Sequence, residues 1–278
     1  MGVSQTSRVR AWTVAGLALA GLLAGPMIGV AGAQSTTGCQ APVSGLVSCW
    51  PGENSTADVA GPNAARIETG GSVSYVEGVV GQAFSFDGFY GSVVVDHPVL
   101  ANTDAFSVTA WINPSAAAIG DAGGIVSKLA GAGGMHGFMF AISSTDAGSG
   151  ANNILYLGFT GLGETWGSDF NLLSVTMPVG IPIGRWSHVA AVYDHQDLSL
   201  YVNGVEVGRL TVGPKTLDVE NNARLRISGH DSGGARFKGS IDEAGFYNRA
   251  LTPAEIQGIA VQPLRMAARA LLPVATEY

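Results

Sequence analysis

The sequence predicts an all-β protein folded as an antiparallel two-sheet sandwich, and three observations carry that expectation. Short runs of alternating apolar and polar residues recur along the chain, separated by glycine-rich turns. Within residues 184–210, Trp186, His188, Ala190 and Val192 alternate with Ser187, Val189, Ala191 and Tyr193, and Leu198, Leu200 and Val202 alternate again. Asn203-Gly204 then precedes Val205-Glu206-Val207, and a two-residue turn of this composition is a type I′ hairpin, because both central residues need positive φ. Finally, the 278 residues include 40 glycines and only 13% charged residues, which suits a turn-rich sheet protein better than a helical bundle. One core accounts for a sandwich of this size, and no second domain is needed.

Residues 1–33 read as a secretory signal. Arg8 and Arg10 give the positive start, Ala11 to Ala24 the apolar run, Pro26 the break and Ala31-Gly32-Ala33 the cleavage site. The mature chain is then expected to begin at Gln34. An uncleaved membrane anchor is the rival reading, but the run is shorter than the roughly 20 residues a spanning helix needs. Removal of the segment leaves 12 basic against 21 acidic residues, a net charge of −9, and an acidic secreted chain is a poor candidate for nucleic acid.

Residues 34–44 form an N-terminal segment. Cys39 and Cys49 are the only cysteines, and in an oxidising compartment they are expected to pair. So short a loop contributes on the order of 2 to 3 kcal/mol. A two-cysteine metal site lacks partners, because the five histidines fall in no metal-ligand spacing.

The first strand is Gly45 to Trp50, ended by Pro51-Gly52. Further strands are expected near 73–76, 83–86, 92–95, 106–113, 124–129, 137–143, 154–160, 172–177, 186–193, 198–202, 205–210, 224–228 and 240–247. The Gly- and Ala-rich stretches 115–123 and 130–134 and the polar 144–153 read as surface loops. Thr252-Pro253-Ala254-Glu255 is a capping box with proline at the first helical position, so a helix is expected from about Pro253 to Ala260. Residues 261–278 are a tail, in which 264–272 is either a second helix or frayed chain. Trp50, Trp111 and Trp186 each border an apolar alternation and are expected in the core, and mid-strand His188 is expected as a structural histidine rather than a ligand-binding one.

The motifs W-x-H-V-A-x-x-Y at 186–193 and LYVNG at 200–204 resemble the laminin-G-like, concanavalin A-like jelly-roll family. The similarity runs from about Gly45 to Ile259 and includes LVSCWPGE, VGQAFSFDG, FSVTAWINP, GGIVSKL and FKGSIDEAGFYNRALTPAEI. It implies a jelly roll over 45–260 but no single function, since the same sandwich serves lectins, accessory modules, adhesins and some hydrolases.

No catalytic residues are identified. The hydrolytic relatives of this fold show an E-x-D-x-x-E run, which is absent here, and Asp218-Val219-Glu220 reads as a turn. Asp242 and Glu243 are adjacent, so in a regular strand they face opposite ways. There is no G-x-S-x-G elbow, and the glycine runs lead into no helix.

Calcium is the cofactor the resemblance implies. In such jelly rolls the first and last strands are antiparallel neighbours, which brings Glu53, Asp58 and Asn63 toward Asp242, and calcium takes six to eight oxygens from groups of this kind. The loop departs from the family's pattern, keeping Asp58 and Asn63 but losing a later glycine, so solvated turn residues are the other reading.

For ligand binding the loops offer Trp166, Tyr90 and His136. Trp166 stands among polar residues, with Glu164, Asp169 and Asn152 as neighbours; it either presents a flat face to a sugar or caps the core's edge. The function expected is a secreted, non-enzymatic recognition module for carbohydrate or cell-surface glycoconjugate. The rivals are an adhesion module contacting another extracellular protein and, third, a polysaccharide-active enzyme with an unrecognised site.

Overall fold

The computed structural model describes residues 39, 43–115, 122–130, 135–143, 154–165, 171–175, 180–231 and 233–270. The signal segment expected over 1–33 lies outside them. No helix among the described residues is long and apolar enough to cross a membrane.

The described strands are β1 (Leu46–Trp50), β2 (Arg66–Ile67), β3 (Val73–Glu77), β4 (Gln82–Asp87), β5 (Val93–Val95), β6 (Phe106–Pro114), β7 (Gly123–Ala130) and β8 (His136–Ser143). They continue with β9 (Ile154–Phe159), β10 (Asn171–Val175), β11 (Ser187–Tyr193), β12 (Asp197–Val202), β13 (Val205–Thr211), β14 (Leu225–Ile227) and β15 (Lys238–Tyr247). All pairings are antiparallel. One sheet runs β13-β12-β11-β6-β15-β4-β3, with β1 also on β15, and the second runs β10-β9-β8-β7-β14-β5-β2. This is the expected jelly-roll sandwich. The neighbouring of β1 and β15 is also as expected, with Trp50 opposite Ala244.

Alternation along the strands sends Phe84, Phe106, Phe138, Phe140, Phe159, Tyr193 and Phe246 into one core between the sheets. Phe106 sits at its centre, 5.5 Å from the Phe159 ring in an edge contact and 6.2 Å from Phe246 in a stacked one. Trp50 is fully buried there, and its indole N–H donates to the Asn63 carbonyl. Of the other two tryptophans, Trp111 is buried as expected and Trp186 departs from expectation. Trp111 is buried on the outer face of the first sheet, edge-on to His188, and Trp186 is half-buried just before β11 begins. Alternation identifies a face; it does not say which face meets the second sheet.

His188 is fully enclosed beside Trp111, and burial pushes its imidazole down to about 3. The Asn203-Gly204 turn has φ of 50° and 80°, as a type I′ hairpin requires. Helix α1 (Pro253–Ala270) begins with the expected reciprocal capping: Thr252 N donates to Glu255 Oε2 and Glu255 N to Thr252 Oγ1. Its first turns cover the outer face of the first sheet, where Ile256 and Leu251 pack on Tyr201, Tyr247, Ala190 and Val192. The helix continues ten residues past the expected end, through Pro263.

Cys39 and Cys49 form the expected disulfide, with Cα atoms 6.1 Å apart.

Candidate functional site

Two places concentrate chemistry. The first is a cleft of about 700 Å³ at one end of the second sheet, lined by Asp96, His97, Asn221, Asn222, Arg224 and Asp231 among others. Residues 96–98 follow β5, and 221–224 lead into β14, which pairs with β5 through Leu225 and Val95. The two walls therefore follow from one strand pairing.

Arginine and lysine side chains fix both walls. Arg226 alternates with the core residues Leu225 and Ile227 and so faces away from the core, yet it is only 2% exposed. Its guanidinium donates to both oxygens of Glu68 at 2.7 and 2.8 Å, to Asp231 at 3.3 Å and to Ser92 Oγ at 3.2 Å. That network folds the 228–231 turn back over β14. Arg226 holds the Glu68 carboxyl below the usual range.

Asp231 also accepts from Arg224 Nε at 2.6 Å and from its backbone N–H at 3.1 Å. Across the cleft, Arg66 grips Asp96 with two hydrogen bonds of 2.6 and 2.7 Å and keeps its carboxyl below the usual range.

Behind Asn221 lies Lys128, 1% exposed. Its Nζ donates to Asn221 O at 3.0 Å, Asn221 Oδ1 at 2.8 Å and Ala223 O at 2.7 Å. Burial pulls the ammonium down to about 8.

Of the sequence-predicted ligand residues, the described Tyr90 and His136 do not converge. His136 borders the cleft's back wall: its carbonyl accepts from Asn221 Nδ2 at 3.2 Å, and its Nδ1 stands 3.4 Å from Asp218 Oδ2. Tyr90 is 71% exposed beside Phe89, at 60%, in the turn before β5, at the opposite end of the same sheet. Trp166 lies outside the described residues. The cleft's own Arg224, Asn222 and His97 carry no signal in the sequence, because three polar residues on separate loops match no spacing.

The second place is a knot of carboxylates. A bulge interrupts β15 between Asp242 and Gly245, and Glu243 there adopts φ of 54°. The bulge breaks the regular alternation behind the expectation that Asp242 and Glu243 face opposite ways, and Glu243 feels the negative charge of Asp242 and Glu53. Asp242 Oδ2 accepts from the N–H groups of Val79 at 2.7 Å and Val80 at 3.1 Å. Glu53 Oε2 accepts from Gln82 N at 3.1 Å, and Glu243 Oε2 accepts from the Cys39 N–H.

The second oxygen of each acid is buried and unpartnered: Glu53 Oε1, Asp242 Oδ1 and Glu243 Oε1. Burial, reinforced by the neighbouring negative charge, pushes Asp242 up to about 7 and Glu243 up to about 8. The unpartnered oxygens of Glu53 and Asp242 are of the hard kind that calcium takes, but Glu53, Asp242 and Glu243 do not together bring one oxygen each within 4.8 Å of one another.

Both sulfurs and a Glu243 carboxylate oxygen lie within 4.8 Å of one another, but the sulfurs are bound in the disulfide. Asp58 and Asn63 are occupied elsewhere. Asp58 accepts from the N–H groups of Cys49, Ala60, Gly61 and Asn63, while the Asn63 amide bridges Ser48 and Val99. They brace the loop that carries Glu53.

The family model described as the concanavalin A-like lectin/glucanases superfamily, of laminin G type, matches residues 87–257. Among solved structures, domain 4 of a GH43 extracellular arabinanase from Geobacillus stearothermophilus, in complex with arabinotriose, is 22% identical. The match covers 77% of this chain and 98% of that one, with a TM-score of 0.60.

The binding domain of Paraclostridial Mosquitocidal Protein 1 is 16% identical over 78% of this chain and 52% of its own, with a TM-score of 0.57. The ligand binding domain of botulinum neurotoxin serotype D, in complex with N-acetylneuraminic acid, is 14% identical over 78% and 51%, also at 0.57. This chain thus spans about half of each toxin fragment. At these identities the likeness is one of fold. With the family model matched over more than half of its length, the chain belongs to the laminin G-type family of the concanavalin A-like lectin/glucanases superfamily.

Proposed function

We propose that this protein is a secreted, non-catalytic carbohydrate-binding module whose sugar site is the cleft at the end of the second sheet. The observation that carries the reading is a cleft of about 700 Å³, room for more than one sugar ring, walled by planar hydrogen-bonding side chains that ion pairs hold in place. Asn222 and Arg224 suit sugar hydroxyls, and Pro98 and His97 offer flat surfaces. Structural neighbours solved with arabinotriose and N-acetylneuraminic acid agree with it. The buried carboxylates favour a non-catalytic reading, since Asp242 is fully enclosed and out of a polysaccharide's reach.

A glycan array with wild type, Asn222→Ala and Trp166→Ala tests the assignment. Binding weakened about tenfold or more in Asn222→Ala supports the cleft. Binding lost only in Trp166→Ala moves the site to Trp166 and its sequence neighbours. Silence across glycans favours the second reading, a protein-contact module using the exposed Phe89–Tyr90 tip.

The cation we assign to this fold is calcium, held by Glu53 and Asp242. Bound calcium neutralises mutually repelling acids and ties the loop after β1 to β15. Millimolar calcium is expected to raise the melting temperature by several degrees, and Glu53→Gln to remove most of that gain. No shift in wild type disposes of the assignment.

A further inference from the structure

We infer that the cleft selects anionic sugars and that Arg224 is the residue that reads the carboxylate; the inference rests on the carbohydrate reading above. Each acid lining the cleft is already matched. Asp96 is held by Arg66, and Asp231 by Arg224 and Arg226. Glu68, behind them, is shared by Arg226 and Arg236, with Arg224 more distantly at 3.9 Å. Around the cleft the four arginines 66, 224, 226 and 236 face the three acids 68, 96 and 231, and with Lys128 and the adjoining Asp218 and Glu220 the charges balance, in a chain of net charge −7. On the adjoining loop, Asp218 is turned to His136 and Glu220 to the N–H of Asn102, while the Lys128 ammonium is spent on neutral oxygens.

The unspent donor is the outer edge of Arg224. Asp231 grips its Nε, which fixes the plane of the guanidinium. Nη1 stands 3.9 Å from Glu68, beyond hydrogen-bonding distance, and neither terminal nitrogen donates a hydrogen bond among the described residues. About a third of the side chain is exposed, and the residue lines the cleft.

A guanidinium pinned through Nε and free at its ends is a preformed fork for a carboxylate. A sugar hydroxyl takes one of those donors; a carboxylate takes two and adds charge. Anchoring by Asp231 also lowers the side-chain entropy lost on binding. His97 is exposed on the opposite wall and carries no competing negative charge.

The test is calorimetric titration of the whole protein with matched pairs of oligosaccharides. Suitable pairs are oligogalacturonate and its methyl ester, glucuronate-bearing xylan oligomers and their carboxyl-reduced forms, and sialyllactose and lactose. In the pair that binds, the acidic member is expected to bind about tenfold more tightly, an advantage that shrinks as salt is raised.

Arg224→Gln should bring that ratio close to one. Arg224→Lys, which keeps the charge but loses the fork, should fall between. Melting temperatures of both variants check that the 221–231 wall is intact. Equal affinity within every binding pair overturns the inference and leaves the carbohydrate reading standing, whereas no binding across all pairs overturns both. A ratio that survives in a folded Arg224→Gln protein removes Arg224 from the role.

Discussion

Glu243 and Lys128 share a property that alternation along a strand hides: each is a charged residue the fold encloses. Lys128 sits opposite Phe138 in the β7–β8 register, on the core-facing side, so its stem packs as an aliphatic chain while the ammonium reaches three oxygens of the 221–223 turn. In the sequence it is one lysine in GGIVSKL, indistinguishable from a solvated one.

Glu243 is hidden for a different reason. Its burial depends on a bulge and a left-handed residue that Ile-Asp-Glu-Ala does not announce. Glu53 and Asp242 were legible together only through the neighbouring of the first and last strands. Lys128→Met is expected to destabilise the domain by about 2 kcal/mol, because it strands the carbonyls of Asn221 and Ala223, and to loosen sugar binding through the same wall. Urea unfolding checks this, and a midpoint equal to wild type would show that the turn does not depend on the clamp.

At the scale of elements, long strands with clear alternation and local turn chemistry were legible, while features set by distant partners were not. The 203–204 hairpin and the capping box at 252–255 formed as read because their geometry is fixed within a few residues. β2 is only Arg66–Ile67 and exists through pairing with β5, so no periodicity could reveal it. Helix α1 was read short, and it passes through Pro263, which lacks the N–H for an i−4 bond. The cleft is likewise a product of pairing: β14 beside β5 aligns two loops more than 120 residues apart in sequence.

Over the whole molecule, the buried ionisable groups give stability a pH profile whose limbs have opposite signs. His188, pushed down to about 3 from 6.5, is neutral in the fold; the unfolded chain binds the extra proton, so this residue's contribution falls as pH drops below about 6.5. Asp242 and Glu243 are raised to about 7 and 8 from about 4. Without calcium the fold binds more protons than the unfolded chain, and their contribution, complete below about pH 4, is lost progressively as pH rises from there through 7 and 8.

Lys128, lowered to about 8 from 10.5, costs stability while charged, and that cost is relieved as pH rises from about 8 toward 10.5. With chelator present, the two acids outweigh the one histidine, so the melting temperature should peak at about pH 4, decline toward pH 8 and recover partly above it. Glu243→Gln should flatten the decline, since the amide has no proton to surrender. Saturating calcium should do the same in wild type by holding the acids ionised at no cost from mutual repulsion. Melts in chelator that stay level between pH 6.5 and 8 would mean that solvent reaches these carboxylates, and the buried-cluster account of β15 would have to be abandoned.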